Sequence, residues 1–167
     1  MNENDILVYA DAGCFMNKEG KPRLLEYFEM LKEPKHEIGN ISFQMDHLDE
    51  SFTKMDIFEY YNTNETTIVK TGQLVGGIYV LRKCRHTMEL IDRWYEGCCQ
   101  YHLIDDSCGK LPNFPTFHAA RNDQSIFSVV RKKYGTIFLS DETMMWFPPN
   151  GAIVGKTYPI WAIRKKY

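Results

Sequence analysis

The run Ile6-Leu7-Val8-Tyr9-Ala10-Asp11-Ala12-Gly13 decides how the rest of the chain is read. Five largely apolar residues in succession, ended by an aspartate and a glycine, describe a strand buried on both faces, and such strands belong to parallel sheets covered by helices. An α/β fold is the expectation. In open α/β sheets ligands bind outside the carboxyl ends of the strands, so Asp11 stands where chemistry is expected. A strand also ends in Asp for turn reasons alone, and the run by itself leaves both readings open.

Working outward from that strand, a turn over 17–22 leads into Leu24, Leu25, Phe28 and Leu31 at helical spacing, with Pro34 beyond the end. Residues 38–45 are β-rich enough for a second strand, and 52–61 have the spacing of another helix. Gly72 to Leu81 reads as a third strand with Ile78-Tyr79-Val80-Leu81 as its buried part and Gly76-Gly77 inside it. Adjacent glycines let a backbone lie against a flat ligand such as a sugar ring; they equally mark a β-bulge.

From Arg85 to about Leu103 the residues Met88, Ile91, Trp94, Tyr95 and Cys98 outline one apolar helical face, which reads Trp94 and Tyr95 as core. Residues 105–120, with Gly109, Pro112 and Pro115, have no period and form a long loop, a feature often tied to function. Asn122 is the expected N-cap of a helix ending at Tyr134-Gly135, which puts Asp123 and Gln124 in its first turn. Acidic residues there also suit the helix dipole without any ligand. A last strand is expected over 136–139. The stretch 143–167, carrying Trp146, Pro148, Pro149, Gly151, Pro159 and Trp161, reads as an extended tail wrapped on a single domain of 1–167.

The bulk composition narrows the function. A net charge of -2 provides no cationic field for a phosphate backbone, so nucleic acid is excluded as a partner. The five cysteines show no metal-ligand spacing, and no run approaches the ~18 apolar residues of a membrane span. With no leader-like start, a soluble cytoplasmic protein is expected. The basic triplet Arg164-Lys165-Lys166 reads as a solvated terminus, and His118 as a structural or exposed loop histidine.

Taken together, Leu7-Val8-Tyr9-Ala10-Asp11-Ala12-Gly13-Cys14, Lys54-Met55-Asp56-Ile57-Phe58, Gly76-Gly77-Ile78-Tyr79-Val80 and Asn122-Asp123-Gln124-Ser125-Ile126-Phe127-Ser128 form an ordered set. It resembles bacterial and viral surface-polysaccharide glycosyltransferases of the GT-A fold and, more distantly, the glycogenin-like retaining transferases. The resemblance covers most of the chain to about Glu142. It implies a GT-A-like mixed sheet flanked by helices and transfer of a sugar from a nucleotide-sugar donor to a surface-glycan or other glycan acceptor.

Carried over by position, the resemblance implies that Asp11 faces the diphosphate directly or as a ligand of a divalent cation, Mn²⁺ or Mg²⁺. Gly13 lies beside it, Gly76 and Gly77 floor the donor sugar, and Lys54 and Arg121 are the donor-binding cations. Asp123 and Gln124 become the catalytic pair that holds the sugar hydroxyls. Two departures stand out. Gly13 occupies the place of a second aspartate, which leaves metal dependence open because hard cations take several oxygen ligands. The nucleoside-binding βαβ half expected ahead of Asp11 is missing before Ile6, so an exposed sheet edge that invites association is a further expectation. The alternative is a non-catalytic glycan- or protein-binding remnant of such a transferase.

Overall fold

The computed structural model describes residues 1–32, 37–144 and 154–163. Its centre is a five-stranded sheet. Strand β1 (Ile6–Ala10) pairs antiparallel with β5 (Ile78–Arg82), Val8 lying opposite Val80. Strand β3 (Asn40–Leu48) takes β5 against its first residues and β4 (Gly72–Leu74) against its later ones, both antiparallel. Its other edge carries β6 (Ile137–Ser140) in parallel, Phe43 opposite Leu139. The sheet is therefore mixed and mostly antiparallel. A separate two-stranded ribbon joins β2 (Phe15–Met16) to β7 (Ile160–Trp161).

Helices cover both faces. On one, α1 (Lys21–Lys32), reached through a 3-10 turn at Lys18–Gly20, buries Tyr27 and Leu31 against Ile41, Phe43, Ile78 and Val80. The apolar stripe of α1 is completed by Tyr27, while Leu25 turns to solvent. On the other face, α2 (Asp49–Phe52), α3 (Met55–Tyr60), α4 (Thr66–Val69), α5 (Arg85–Cys98), α6 (Tyr101–Ile104) and α7 (Asn122–Tyr134) enclose a second cluster around Tyr79, Leu81, Leu90 and Phe127. Helix α7 is the hub, buried continuously from Ser125 to Arg131.

Several expectations need correction. β1 is an edge strand that alternates in burial and runs antiparallel to its neighbour, where a doubly buried parallel strand was expected. Ile6, Val8 and Ala10 pack on the α1 side, while Leu7 and Tyr9 remain 41% and 40% exposed. The strand expected over 72–81 is two strands interrupted at 75–77. The helix expected over 52–61 is the shorter α3, with Phe52 closing α2, and that expected from Arg85 to Leu103 breaks after Cys98. Tyr95 is 68% exposed and outside the core, whereas Trp94 stacks on Phe127 at 4.2 Å.

The irregular segment 105–120 is observed as expected, and it is tied down from one side. The Asp56 carboxylate accepts from the backbone N–H groups of Lys110 and Leu111, and the Asn113 carboxamide oxygen accepts from Met55 N. Of the tail, 154–163 is described: Ile160 is buried in the α1-side core and Asn17 donates to the Lys156 and Tyr158 carbonyls. Trp146, Pro34 and the basic triplet lie outside the described residues.

Candidate functional site

The break between β4 and β5 creates the site. Strand β4 ends at Leu74, Val75 N makes one more hydrogen bond to Phe43 O, the chain turns through Gly76-Gly77, and β5 begins at Ile78 beside the end of β1, with Gly77 O accepting from Asp11 N. Side chains approach both glycines closely. A Cβ on Gly77 would lie 2.5 Å from Asp11 Oδ2, and one on Gly76 would lie 2.7 Å from Gln124 Cβ. What lies against these glycines within the protein is thus a pair of site side chains, and the missing Cβ atoms let the Asp11 carboxylate and the start of α7 converge on the same step.

The convergence opens a cleft of two lobes. The first, about 570 Å³, is bounded by Asp11, Gly76, Gly77, Arg121, Asp123 and Gln124, with Tyr9, Tyr79 and Trp94 as an aromatic wall. The second, about 600 Å³, shares Asp11, Gly77, Arg121 and Gln124 and extends past Gly13 and Cys14 to Asp141, Thr143 and Met144. Seven of the eight residues expected at the site therefore border one connected space.

The eighth is Lys54, expected as a donor-binding cation and found elsewhere. Its side chain is fully buried, and its ammonium donates to Asp105 Oδ1 at 2.5 Å and to the carbonyls of Asp105 and His102. Lys54 fastens the loop to α3. Its pairing pulls the Asp105 carboxyl down to about 2, with Ser107 adding a second hydrogen bond.

Within the cleft, Asp11 Oδ1 accepts from the Tyr9 hydroxyl at 2.9 Å, and its backbone N–H donates to Gly77 O. Tyr9 in turn stacks on Tyr79 with centroids 4.6 Å apart. The hydrogen bond to Asp11 raises the Tyr9 phenol, and burial pushes Tyr79 up to about 12. The Asp123 backbone carbonyl accepts from Trp94 Nε1, which fixes the first turn of α7 against the aromatic wall.

Arg121 is the cation where the lobes meet. Its guanidinium lies 4.1 Å from the centroid of Phe52, whose ring also meets His47 and His118. Its polar contacts are Gln73 Oε1 at 3.5 Å and Met45 Sδ at 3.6 Å, and no carboxylate pairs with it among the described residues. Burial lowers its pKa below that of a free guanidinium. An arginine held on an aromatic ring without a counter-ion is suited to a planar oxyanion partner.

Gln124, expected on sugar hydroxyls, has both amide ends engaged. Its Oε1 accepts from Gly76 N at 3.2 Å and its Nε2 donates to Gln73 Oε1 at 2.8 Å. Gln73, wholly buried, donates to Thr53 Oγ1, and Thr53 donates to Asp49 Oδ1. Asp49 closes the chain on Lys132 at 2.6 Å, within a pair that is almost fully buried. Every donor from Gly76 onward points toward the buried Asp49, which fixes the orientation of the Gln124 amide. Asn122, the expected N-cap, instead adopts φ 46° and reaches back to Ile104 O. Asparagine tolerates that left-handed conformation well.

Gln73, Tyr9, Tyr79 and Asp141 are site residues that sequence reasoning missed. Tyr9 had a signal, since it lies two residues before Asp11 and so on the same face of a strand. Gln73 and Asp141 had none.

The chain matches no protein-family model, no curated protein and no solved structure. No helix among the described residues is long and apolar enough to cross a membrane. No group of three or more His, Cys, Asp or Glu side chains gathers as a metal site among them. Asp11 Oδ2 has no hydrogen-bond partner there and can supply one ligand. Mg²⁺ is commonly held by one or two carboxylates together with substrate phosphates and water. Asp11 is thus the cleft side chain that could contribute a ligand to such a cation.

Proposed function

We propose that this chain carries the donor site of a GT-A-type glycosyltransferase, moving a sugar from a nucleoside-diphosphate donor to a glycan acceptor. One observation carries the reading: Asp11, the Gly76-Gly77 step and Asp123 border a single lobe in which Arg121 is the lining cation. In such a transfer the bond between the anomeric carbon and the diphosphate oxygen breaks, and its electron pair stays on the departing phosphate. The acceptor oxygen bonds to the anomeric carbon, and its proton passes to the departing diphosphate. Charge therefore accumulates on the leaving group, and a preorganised donor facing it lowers the barrier.

Arg121 is that donor: it is half-buried, and its planar guanidinium can grip two phosphate oxygens at once. Asp123 accepts hydroxyl hydrogens of the sugar, and Gln124 keeps the glycine step in place instead of touching the sugar directly. Asp11 would hold a divalent cation brought by the diphosphate, and the cation would neutralise leaving-group charge. A second reading, a binding module without turnover, is favoured by the engagement of both ends of the Gln124 amide within the protein.

Release of nucleoside diphosphate from a panel of nucleotide sugars, with and without Mn²⁺, separates the two. Turnover that falls at least a hundredfold in Asp123→Asn and Asp11→Asn supports the transferase. Donor binding without release, unchanged in both variants, supports the binding module. Neither binding nor release removes both.

A further inference from the structure

The second lobe differs in chemistry from the first, and nothing in the donor reading uses it. Beyond the shared wall its surface is mainly aliphatic and sulfur-bearing: Cys14, Met45, Val75, Met144 and Ala162. Two carboxylates stand among them. Asp11 lies at the boundary with the first lobe, and Asp141 on the far wall. Asp141 Oδ1 accepts from Thr143 N at 3.0 Å and from its hydroxyl, which fixes the carboxylate in place. Its Oδ2, like that of Asp11, has no hydrogen-bond partner among the described residues.

The segment bearing Asp141 is firmly held. Glu142 accepts a forked pair of hydrogen bonds from Arg23, at 2.8 and 2.6 Å, and a third from the Tyr27 hydroxyl. On its other side Thr143 O accepts from Ala162 N. The wall is thus pinned to α1 and to the β7 segment.

We propose that this second lobe is a subsite for a neutral saccharide, the acceptor of the reaction proposed above, on which this inference rests. A ring hydroxyl donates to the free Oδ2 of Asp141, while the C–H faces of the sugar rest on Met45, Val75 and Met144. Methionine suits that role because its flexible, polarizable side chain moulds to irregular surfaces. An anionic ligand is disfavoured, since two carboxylates face the lobe and Arg121 is its lining cation. A volume of about 600 Å³ is within the range of small-ligand sites. Because Asp11 and Gly77 belong to both lobes, a hydroxyl of the bound saccharide meets the donor sugar across them.

The test uses reporters that each belong to one lobe. The methyl groups of Met45 and Met144, labelled with ¹³C, report the second lobe, and the ¹⁵N-labelled indole of Trp94 reports the first. Lactose, maltose, cellobiose and the acidic sialyllactose are titrated, then UDP, GDP and their sugars. At least one neutral disaccharide is expected to shift both methionine signals with saturation, and sialyllactose to bind at least fivefold more weakly. Ala162→Trp, which fills the lobe from the β7 side, is expected to abolish the disaccharide response. Asp141→Asn, which retains an oxygen for Thr143, should weaken it at least fivefold while leaving nucleotide shifts at Trp94 intact.

If no neutral disaccharide moves the methionine signals, or if Ala162→Trp leaves the response unchanged in a folded protein, the inference is overturned. Nucleotides that fail to move Trp94 while disaccharides still move the methionines would sink the donor reading and leave the saccharide subsite standing.

Discussion

At the residue scale, the cleft is shaped by two glycines and the side chains that lie against them. Gly77→Ala would set a Cβ 2.5 Å from Asp11 Oδ2, so the carboxylate must move. That oxygen ends an exposed side chain, so urea unfolding should show little loss of stability, while donor affinity should fall at least tenfold by calorimetry. Gly13 is the opposite case: a Cβ there meets nothing within 4 Å. Gly13→Asp should therefore fold as the parent does and place a second carboxylate beside Asp11. Mn²⁺ affinity, read from the electron paramagnetic resonance of free ion, is expected to rise about tenfold, since hard cations gain from each added oxygen ligand; an unchanged affinity would show that Asp11 does not face a cation position.

At the scale of elements, α7 is stitched to the β4–β5 break by buried polar groups. Ser128 Oγ accepts from Leu74 N, Arg131 donates to Val75 O, and Asp49 pairs with Lys132. Arg131 is completely buried, which brings its pKa down to about 9, and it stacks on Phe127. Asp49→Ala leaves Lys132 buried and unpaired, a change that costs about 3–5 kcal/mol. Urea unfolding should show the midpoint falling with an unchanged slope. The Lys54–Asp105 pair adds a pH dependence. Asp105 is held at about 2 in the folded chain, whereas a free aspartate titrates near ~3.9. Its contribution is complete above the unfolded value and is lost as pH falls from about 4 towards 2. Unfolding curves between pH 2 and 5 should steepen in the wild type relative to Lys54→Met.

These contacts also explain what the sequence made legible. The helix from Asn122 to Tyr134 was readable from its apolar spacing and its glycine stop, Gly135 adopting the positive φ of 109° that ends it, although the expected Asn122 cap did not form. Lys54 was misread because a lone lysine carries no sign of the Asp105 partner some fifty residues away. Gln73 was invisible for the same reason: a buried amide acquires its role only from what the fold packs around it.

At the scale of the molecule, strand order lay beyond the pattern of residues. The run at Ile6–Ala10 looks buried on both faces, yet Leu7 and Tyr9 face outward, and β5 is the partner of β1 among the described residues. Unbroken apolarity specifies burial by something; it does not say which layer of the same chain provides it. Even so, Asp11, Gly76-Gly77 and Asp123 meet in one cleft although they come from three separate segments, because the β4–β5 break, the end of β1 and the start of α7 all fall at one end of the sheet. Calorimetric titration of a nucleotide-sugar panel, with UDP and GDP alone, into wild type and Arg121→Ala tests that convergence most directly. The account predicts saturable one-to-one binding of at least one nucleotide sugar, weakened at least tenfold in the variant, consistent with loss of a charged hydrogen bond of about 1.5–3 kcal/mol. Binding that is equally tight without Arg121, or no binding of any nucleotide sugar by the folded chain, would contradict it.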